Sequence, residues 1–406
     1  MAELNRALDE VVRRERPRVV GALVRMLGSI DAAEEAFQEA LLAALAAWRV
    51  QGPPHNPAAW LTVAAKNHAR DAARHRRIVE ATAPLLTAPE VLGADATELI
   101  PDDVLRLLFT CCHPALTLES RVALTLKVVV GFTTDEIARA FVSPEKAIAQ
   151  RIVRAKRAIA EEALSYEVPG RAELPARVAS VLTVIYLVFN EGHTTREGPL
   201  MRVDLQAEAF RLARLTCDLL PIEPEVFGLY ALIAFSVGRA ASRTDERGAP
   251  LLLSEQDRSR WDRPTINEGS MALARALRLG GRGSHVLQAE IAACHATAAS
   301  WEATDWARIL RTYDCLVATS PSPVVHLNRA VAVCMLRGAT EALAAIAPLA
   351  EALASYHLFY AMRADFRTRL GEDARDDYRR ALELATNEGE RAFLERKVLS
   401  SGPTAG

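Results

Sequence analysis

Aromatic residues make up only 6% of this 406-residue chain, which is half hydrophobic and a quarter charged. Nowhere does apolar/polar alternation with β-branched enrichment run long enough for a convincing strand. Ala, Leu, Arg and Glu dominate instead, so an all-α protein is expected. Charge of one sign is also lacking: 49 Lys and Arg stand against 51 Asp and Glu. That balance excludes a uniformly basic nucleic-acid coat and requires any basic surface to be local. The six cysteines, Cys111, Cys112, Cys217, Cys294, Cys315 and Cys334, form no CxxC pair. A disulfide scaffold is thereby excluded, and reduced thiols in a cytoplasmic protein are expected. No run of about 18 apolar residues suggests a membrane span. The Thr125–Val130 stretch is short and carries Lys127, and the N-terminus is charged from Glu3 with no apolar signal core.

Motifs for covalent chemistry are equally scarce. Cys111-Cys112-His113 lacks the ligand spacing of zinc sites. Glu191-Gly192-His193 resembles part of a hydrolytic motif, but HExxH is absent. Gly280-Gly281-Arg282-Gly283 follows a helix and reads as a turn rather than a phosphate loop. No catalytic residue, metal or cofactor is therefore expected. Asn190, Glu191, Asp257, Arg258, Arg260, Trp261 and Asp262 remain as a polar set that either lines a groove or ties helices together.

At this length two or three domains are expected. Residues 1–80 read as helical throughout. Residues 81–101, with Pro84, Pro89, Gly93 and Pro101, read as a linker. Residues 102–165 form a compact helical unit, closed by Val168-Pro169-Gly170, and residues 172–400 are helix after helix. In this last segment Gly338 and Gly371 each close one helix and open another. Ala342/Ala374, Ile346/Tyr378 and Leu349/Ala381 recur at an offset of 32. The spacing is close to the tetratricopeptide period of about 34; a generic helical bundle is the alternative.

Two helices carry local positive charge. Asn56-Pro57 is a helix start, and the following helix places Trp60, Val63, Ala64 and Asn67 on one face. Lys66, Arg70, Arg74 and Arg77 line the adjacent stripe, extended by His75 and Arg76. A basic stripe beside an aromatic suits the phosphates and splayed bases of a melted strand, or is simply a solvated face. Upstream, Asp31 to Trp48 is amphipathic through Phe37, Leu41, Leu45 and Trp48, with Glu34, Glu35, Gln38 and Glu39 crowding its N-terminal half. Such a helix is either core or an acidic docking surface.

The sharper signal is a helix-turn-helix. Thr133 and Glu136 form a capping box, and after a tight turn Ser143-Pro144 starts a second helix. Its Ile148, Ile152, Ala155 and Ile159 share an inward face. Lys146, Gln150, Arg154 and Arg157 point away, flanked by Arg151 and Lys156. From Arg121 to Arg157 eight Lys/Arg stand against three Asp/Glu. Basic side chains there hold phosphates, and Gln150 and Arg154 have the reach for base edges in a major groove.

The order of these parts, AAEEAFQEALLAALAAW (32–48), NPAAWLTVAAKNHARDAARHRR (56–77), LRLLFTCCHPAL (105–116) and TLESRVALTLKVVVGFTTDEIARAFVSPEKAIAQRIVRAKRAI (117–159), resembles the extracytoplasmic-function group of the sigma-70 family. VFNEGHTT (188–195), SEQDRSRWDR (254–263) and PSPVVHLNRAVAV (321–333) resemble a subgroup with a tetratricopeptide-like C-terminal extension. AFSVGRAASRTDERG (234–248) and GSHVLQAEI (283–291) depart from that subgroup's usual pattern.

The resemblance implies two small helical sigma domains, the second a helix-turn-helix, followed by a helical-repeat extension. It implies core RNA polymerase and promoter DNA as partners, with recognition rather than covalent chemistry as the mechanism. Asp31, Glu34, Glu35, Phe37, Gln38 and Glu39 would dock on polymerase. Trp60, Lys66, Asn67, Arg70, Arg74, Arg76 and Arg77 would read the −10 element. Ser143, Lys146, Gln150, Arg151, Arg154 and Arg157 would read the −35 element. Residues 172–400 would regulate the factor or bind a partner protein. A helix-turn-helix regulator with a helical sensor domain is the alternative.

Overall fold

The computed structural model describes residues 2–52, 54–80, 101–141, 143–162, 164, 166–193, 201–245 and 248–400, and these are helical almost throughout. An isolated antiparallel bridge between Thr244 and Pro250 is the β feature among the described residues. The chain divides into two compact units, residues 1–184 and 185–406. Residues 81–100, most of the expected linker, lie outside the described residues.

In the first unit, α1 (Ala2–Leu27), α2 (Ile30–Gln51) and α3 (Pro57–Glu80) pack on one another. Ser29 opens α2 by accepting from the Ala32 N–H, and Gly52, at φ +75°, closes it. The Asn56 side chain accepts from the Ala59 N–H at 3.1 Å, the cap that the Asn-Pro start predicts. Phe37, Ala44, Trp48 and Leu61 are buried in this bundle, each of the larger side chains contributing about 2–3 kcal/mol of apolar burial.

The remainder of the unit is built from α4 (Pro101–Cys111), α5 (Leu118–Thr125), α6 (Thr134–Ala140) and α7 (Glu145–Glu161). A π-helical turn, Leu126–Val130, continues α5 and ends at Gly131, whose φ is +93°. Both arms of the Thr133/Glu136 capping box form at the start of α6. The start of α7 differs from expectation. Pro144 takes the cap position without a side-chain bond, and the Ser143 hydroxyl donates instead to Phe141 O at 3.0 Å. Ser143 sits one residue too far upstream to reach the first free N–H groups of the helix.

Cys111 and Cys112 are buried. Burial pushes the Cys112 thiol up to about 11, so it is inert at neutral pH. Beyond the Val168-Pro169-Gly170 break, the first half of α8 (Leu174–His193) still belongs to this unit. Arg177 donates to Phe109 O at 2.9 Å and the Ser180 hydroxyl donates to Cys112 O. The compact second unit therefore begins later than the sequence break indicates.

The second unit contains α9 (Val203–Leu219), α10 (Pro224–Val237), α11 (Arg263–Arg278), α12 (Ser284–Thr297), α13 (Trp306–Thr319), α14 (Pro323–Arg337), α15 (Ala339–Ile346), α16 (His357–Arg369), α17 (Arg375–Leu384) and α18 (Glu388–Ser400). Helix α10 is apolar nearly all round and lies between α9, α11 and α12, the position such a helix requires. Gly228 permits the α10–α12 approach: a Cβ there would stand 2.7 Å from the Val286 nitrogen. Gly338 and Gly371 adopt φ +98° and +76°. Ala342, Ile346, Ala374, Tyr378 and Ala381 are buried. The two copies share turn glycines and buried residues but not helix register, since α15 begins directly after Gly338 and α17 four residues after Gly371.

Within the first unit α1 lies close on α4. A Cβ on Gly21 would come 2.8 Å from Asp103 O. The Tyr166 hydroxyl, 2.8 Å from Gly21 O and 2.9 Å from Asp103 O, shares its proton between the two carbonyls. Gly21→Val is therefore expected to lower stability by about 1–3 kcal/mol through overpacking, read as a lower urea midpoint. An unchanged midpoint would contradict so tight an approach.

Candidate nucleic-acid interface

Helix α3 turns Leu61, Ala65 and Ala69 inward. Val63, Asn67 and Arg70 are exposed, and Lys66 is half-buried beside them. Trp60 stands at the edge of this outer face. Its ring meets that of buried Trp48 edge-on, with centroids 5.5 Å apart, so half of it is fixed by packing and half is free. The side chains of Arg74, Arg76 and Arg77 lie outside the described residues, although the backbone of α3 extends past them.

Helix α7 divides cleanly. Ile148, Ile152 and Ala155 are buried; Lys146, Gln150, Val153, Arg154 and Arg157 are exposed. Arg151 is half-buried. Arg154 folds back to Gln150 O at 3.3 Å, a bond to its own helix that leaves the guanidinium on the surface. Arg157 pairs with Glu161 at 2.6 Å, and this hydrogen-bonded acid raises its pKa above the ordinary arginine value. Sequence reasoning missed Val153, 63% exposed between Gln150 and Arg154. A β-branched residue on the polar face of an amphipathic helix was the available signal, and it suits contact with a thymine methyl.

Lys156 behaves differently from its neighbours on α7. Its ammonium donates to Asp31 Oδ1 at 2.6 Å and to Glu34 Oε2 at 2.7 Å, both on α2. Burial alone would lower its pKa, but Glu34 and Asp31 outweigh that and raise it. The other Glu34 oxygen accepts from Arg16 Nη2 at 2.7 Å. Arg16 also donates to Val128 O at 3.0 Å and Lys127 O at 3.3 Å. Those carbonyls end the π-helical turn, where helical carbonyls lack partners and a cation is favoured. Burial lowers the Arg16 pKa, and Glu34 opposes the shift. A single buried carboxylate thus ties α1 and α2 to the π turn and α7.

The expected docking set is split by this arrangement. Phe37 is buried in the core and Glu34 in the ion cluster. Asp31 is exposed but engaged by Lys156. Glu35, Gln38 and Glu39 remain on the surface. Leu42 and Leu45, 61% and 39% exposed, continue their face along α2, although the amphipathic pattern groups Leu45 with Phe37 and Trp48, which are buried.

Residues 11–78 match the family described as sigma-70 region 2, and residues 106–159 that described as sigma-70, region 4. Residues 177–277 match a family of unknown function, DUF6596. An uncharacterized protein of Rhizobium meliloti (strain 1021) is 41% identical over 401 residues, 96% of this chain and 95% of its own length. RNA polymerase sigma factor CarQ of Myxococcus xanthus is 31% identical over 138 residues, 32% of this chain and 74% of CarQ.

The chain belongs to the extracytoplasmic-function group of the sigma-70 family. This sigma factor binds core RNA polymerase and promoter DNA and directs promoter-specific transcription initiation. In its sequence order, α1–α3 carry region 2 and α4–α7 carry region 4. The Arg16–Glu34–Lys156 cluster is therefore a contact between the two sigma regions.

Lys156→Ala would leave Glu34 buried with one cation instead of two, and is expected to cost about 2–4 kcal/mol. Arg154→Ala, on the same helix but exposed, is expected to stay within about 0.5 kcal/mol of the parent. Urea unfolding of the full chain checks both, and equal midpoints would contradict the cluster. Since the Lys156 pKa is raised, its contribution is complete at neutral pH and disappears only as pH climbs through that raised value.

Proposed function

We propose that the outer face of α3 captures the −10 element and that the outer face of α7 reads the −35 element. On α3, Trp60 would stack on an unpaired base while Lys66, Asn67 and Arg70 hold the strand, with Arg74, Arg76 and Arg77 continuing the stripe. On α7, Lys146, Arg151 and Arg157 would hold phosphates. Gln150, Val153 and Arg154 would meet base edges, with Ser143 at the entry to the helix. The exposure of Gln150, Val153 and Arg154 together, on the side of α7 opposite its core face, is the observation that carries this reading.

Polymerase docking falls to the surface part of α2, where Glu35, Gln38 and Glu39 give an acidic edge to Leu42 and Leu45. We also assign the factor to the cytoplasm, where its polymerase and promoter are found. Residues 1–184 form one compact unit, and a compact chain of that length is about 40 Å across. The −10 and −35 elements lie about 25 base pairs apart, or roughly 85 Å of duplex at about 3.4 Å per step. Reading both at once requires the two sigma regions to part, and the Glu34 cluster is the contact to be broken. Docking on polymerase would supply the compensating interactions. The C-terminal extension is assigned a regulatory role, acting on the factor itself or through a protein partner.

Run-off transcription with purified core polymerase tests the assignments. Gln150→Ala with Arg154→Ala is expected to cost about 2–5 kcal/mol of −35 discrimination, leaving the affinity for core polymerase intact. Unaltered promoter choice would refute the α7 assignment. Lys66→Ala with Arg70→Ala is expected to impair strand opening, followed by permanganate reactivity of unpaired thymines; open complexes at the parent level would refute the α3 assignment. Because the first half of α8 belongs to the first unit, a truncation that tests the extension should follow His193 rather than the Val168-Pro169-Gly170 break. Equal activity of truncated and full-length factor would remove the regulatory role.

A further inference from the structure

The second unit contains a concentration of positive charge, four arginines on which one carboxylate, Glu302, acts through Arg258. Arg239 and Arg243 flank the short helical turn after α10. Arg258 and Arg263 approach from the segment leading into α11. Three of these guanidinium groups surround one buried indole: Arg258, Arg263 and Arg239 lie 4.5, 5.6 and 5.9 Å from the Trp261 ring centroid. The indole N–H donates to the Ser242 hydroxyl at 2.7 Å, which fixes the ring.

Among the described residues, none of these four arginines forms an ion pair, although paired arginines are common elsewhere in the same unit, as at Arg363 and Arg367 with Asp377. Their acceptors are instead carbonyls and a histidine. Arg239 donates to Phe235 O, Arg258 to His295 O and Ala298 O, and Arg243 to His193 O with His193 Nδ1 at 2.9 Å. Two buried polar atoms, Arg258 Nη2 and His295 Nδ1, have no partner. Burial first, and the neighbouring arginines second, disfavour the charged forms of the set. Burial and the neighbouring Arg258 bring Arg239 down to about 10; burial and Arg239 do the same to Arg243. Burial, then Arg239 and Arg258, bring His295 down to about 4. Four like charges facing a single carboxylate, with donors unused, describe a site that takes further negative charge from outside.

His295 also faces a second feature. It lines an open cavity of about 420 Å³, walled by Trp301, Trp306, Tyr313, Met335 and Phe366. The volume falls in the range of small-molecule sites, about 300–1,000 Å³, and the lining is of the apolar kind they favour. The His295 and Trp306 rings meet edge-on at 5.3 Å, so the aromatic wall reaches the histidine on which Arg239 and Arg258 act.

We propose that the C-terminal unit binds an amphiphilic organic oxyanion, a carboxylate or phosphate, with its charged head on Arg239, Arg258 and His295 and its apolar body in the Trp301–Trp306 cavity. The fork of an arginine matches either oxyanion. Binding of this ligand is independent of promoter reading, so the two are tested separately.

Isothermal titration of the full-length protein with octanoate, octyl phosphate, octanol and inorganic phosphate is the experiment. At least one of the two anionic amphiphiles is expected to bind saturably at one site, and which one does so identifies the head group. Octanol and inorganic phosphate, each with half of the required chemistry, are expected to bind roughly tenfold more weakly or worse. Arg239→Gln is expected to weaken the anionic amphiphile by roughly tenfold or more while leaving octanol unchanged. Failure of both anions to saturate by about 10 mM, a range beyond weak specific binding, would overturn the proposal. So would octanol binding as tightly as the anions, or Arg239→Gln lowering the melting temperature without altering amphiphile affinity. Should that variant fail to fold, the four-ligand comparison on the parent protein decides alone.

Discussion

One carboxylate organises the promoter-reading half of this sigma factor. Glu34 lies buried on α2 with Arg16 on one oxygen and Lys156 on the other. Removing three charged groups from water is costly, and their mutual attraction offsets that cost only where geometry and the remaining hydrogen bonds are good. Here the remaining bonds are supplied: Arg16 places its other donors on Lys127 O and Val128 O, the open end of a helical turn. The gain is in specificity more than in raw stability. A hydrophobic patch tolerates sliding, whereas a carboxylate shared by two cations from different segments accepts essentially one arrangement.

That arrangement explains the uneven behaviour of a single helix. On α7, Arg154 and Arg157 point to solvent while Lys156, between them in sequence, turns back toward α2. The 100° step of the helix is sufficient cause. The same step gives α7 a core face, a lysine that faces α2 and an exposed outer face. A similar division on α2 separates Phe37 and Glu34, which hold the fold, from Glu35, Gln38 and Glu39, which face water. The acids of one short segment thus serve opposite purposes.

The C-terminal unit handles charge in another way. Around Asp377 it pairs arginines with an acid, and those contacts bind α16 to α17. Around Trp261 it gathers arginines that make no ion pair among the described residues and uses carbonyls, a fixed indole and stacking to hold them. The first pattern ties helices together. The second gathers cations around a histidine that lines a largely apolar cavity.

Helix content, the Asn56 cap, the Thr133/Glu136 box and the inward face of α7 were legible in the sequence, because each depends on residues within one or two turns of one another. Tertiary structure alone decided that Phe37 and Glu34 are interior, that Leu45 is partly exposed, that Lys156 answers α2, and that α8 begins in the first unit. Arg16 and Val128 are 112 positions apart, and local periodicity carries no information about such pairs. Nor can composition show that arginines from separate loops converge on one tryptophan. Local rules select the helices and their wet and dry faces; which dry or charged face meets which is settled only when distant segments compete for the same partners.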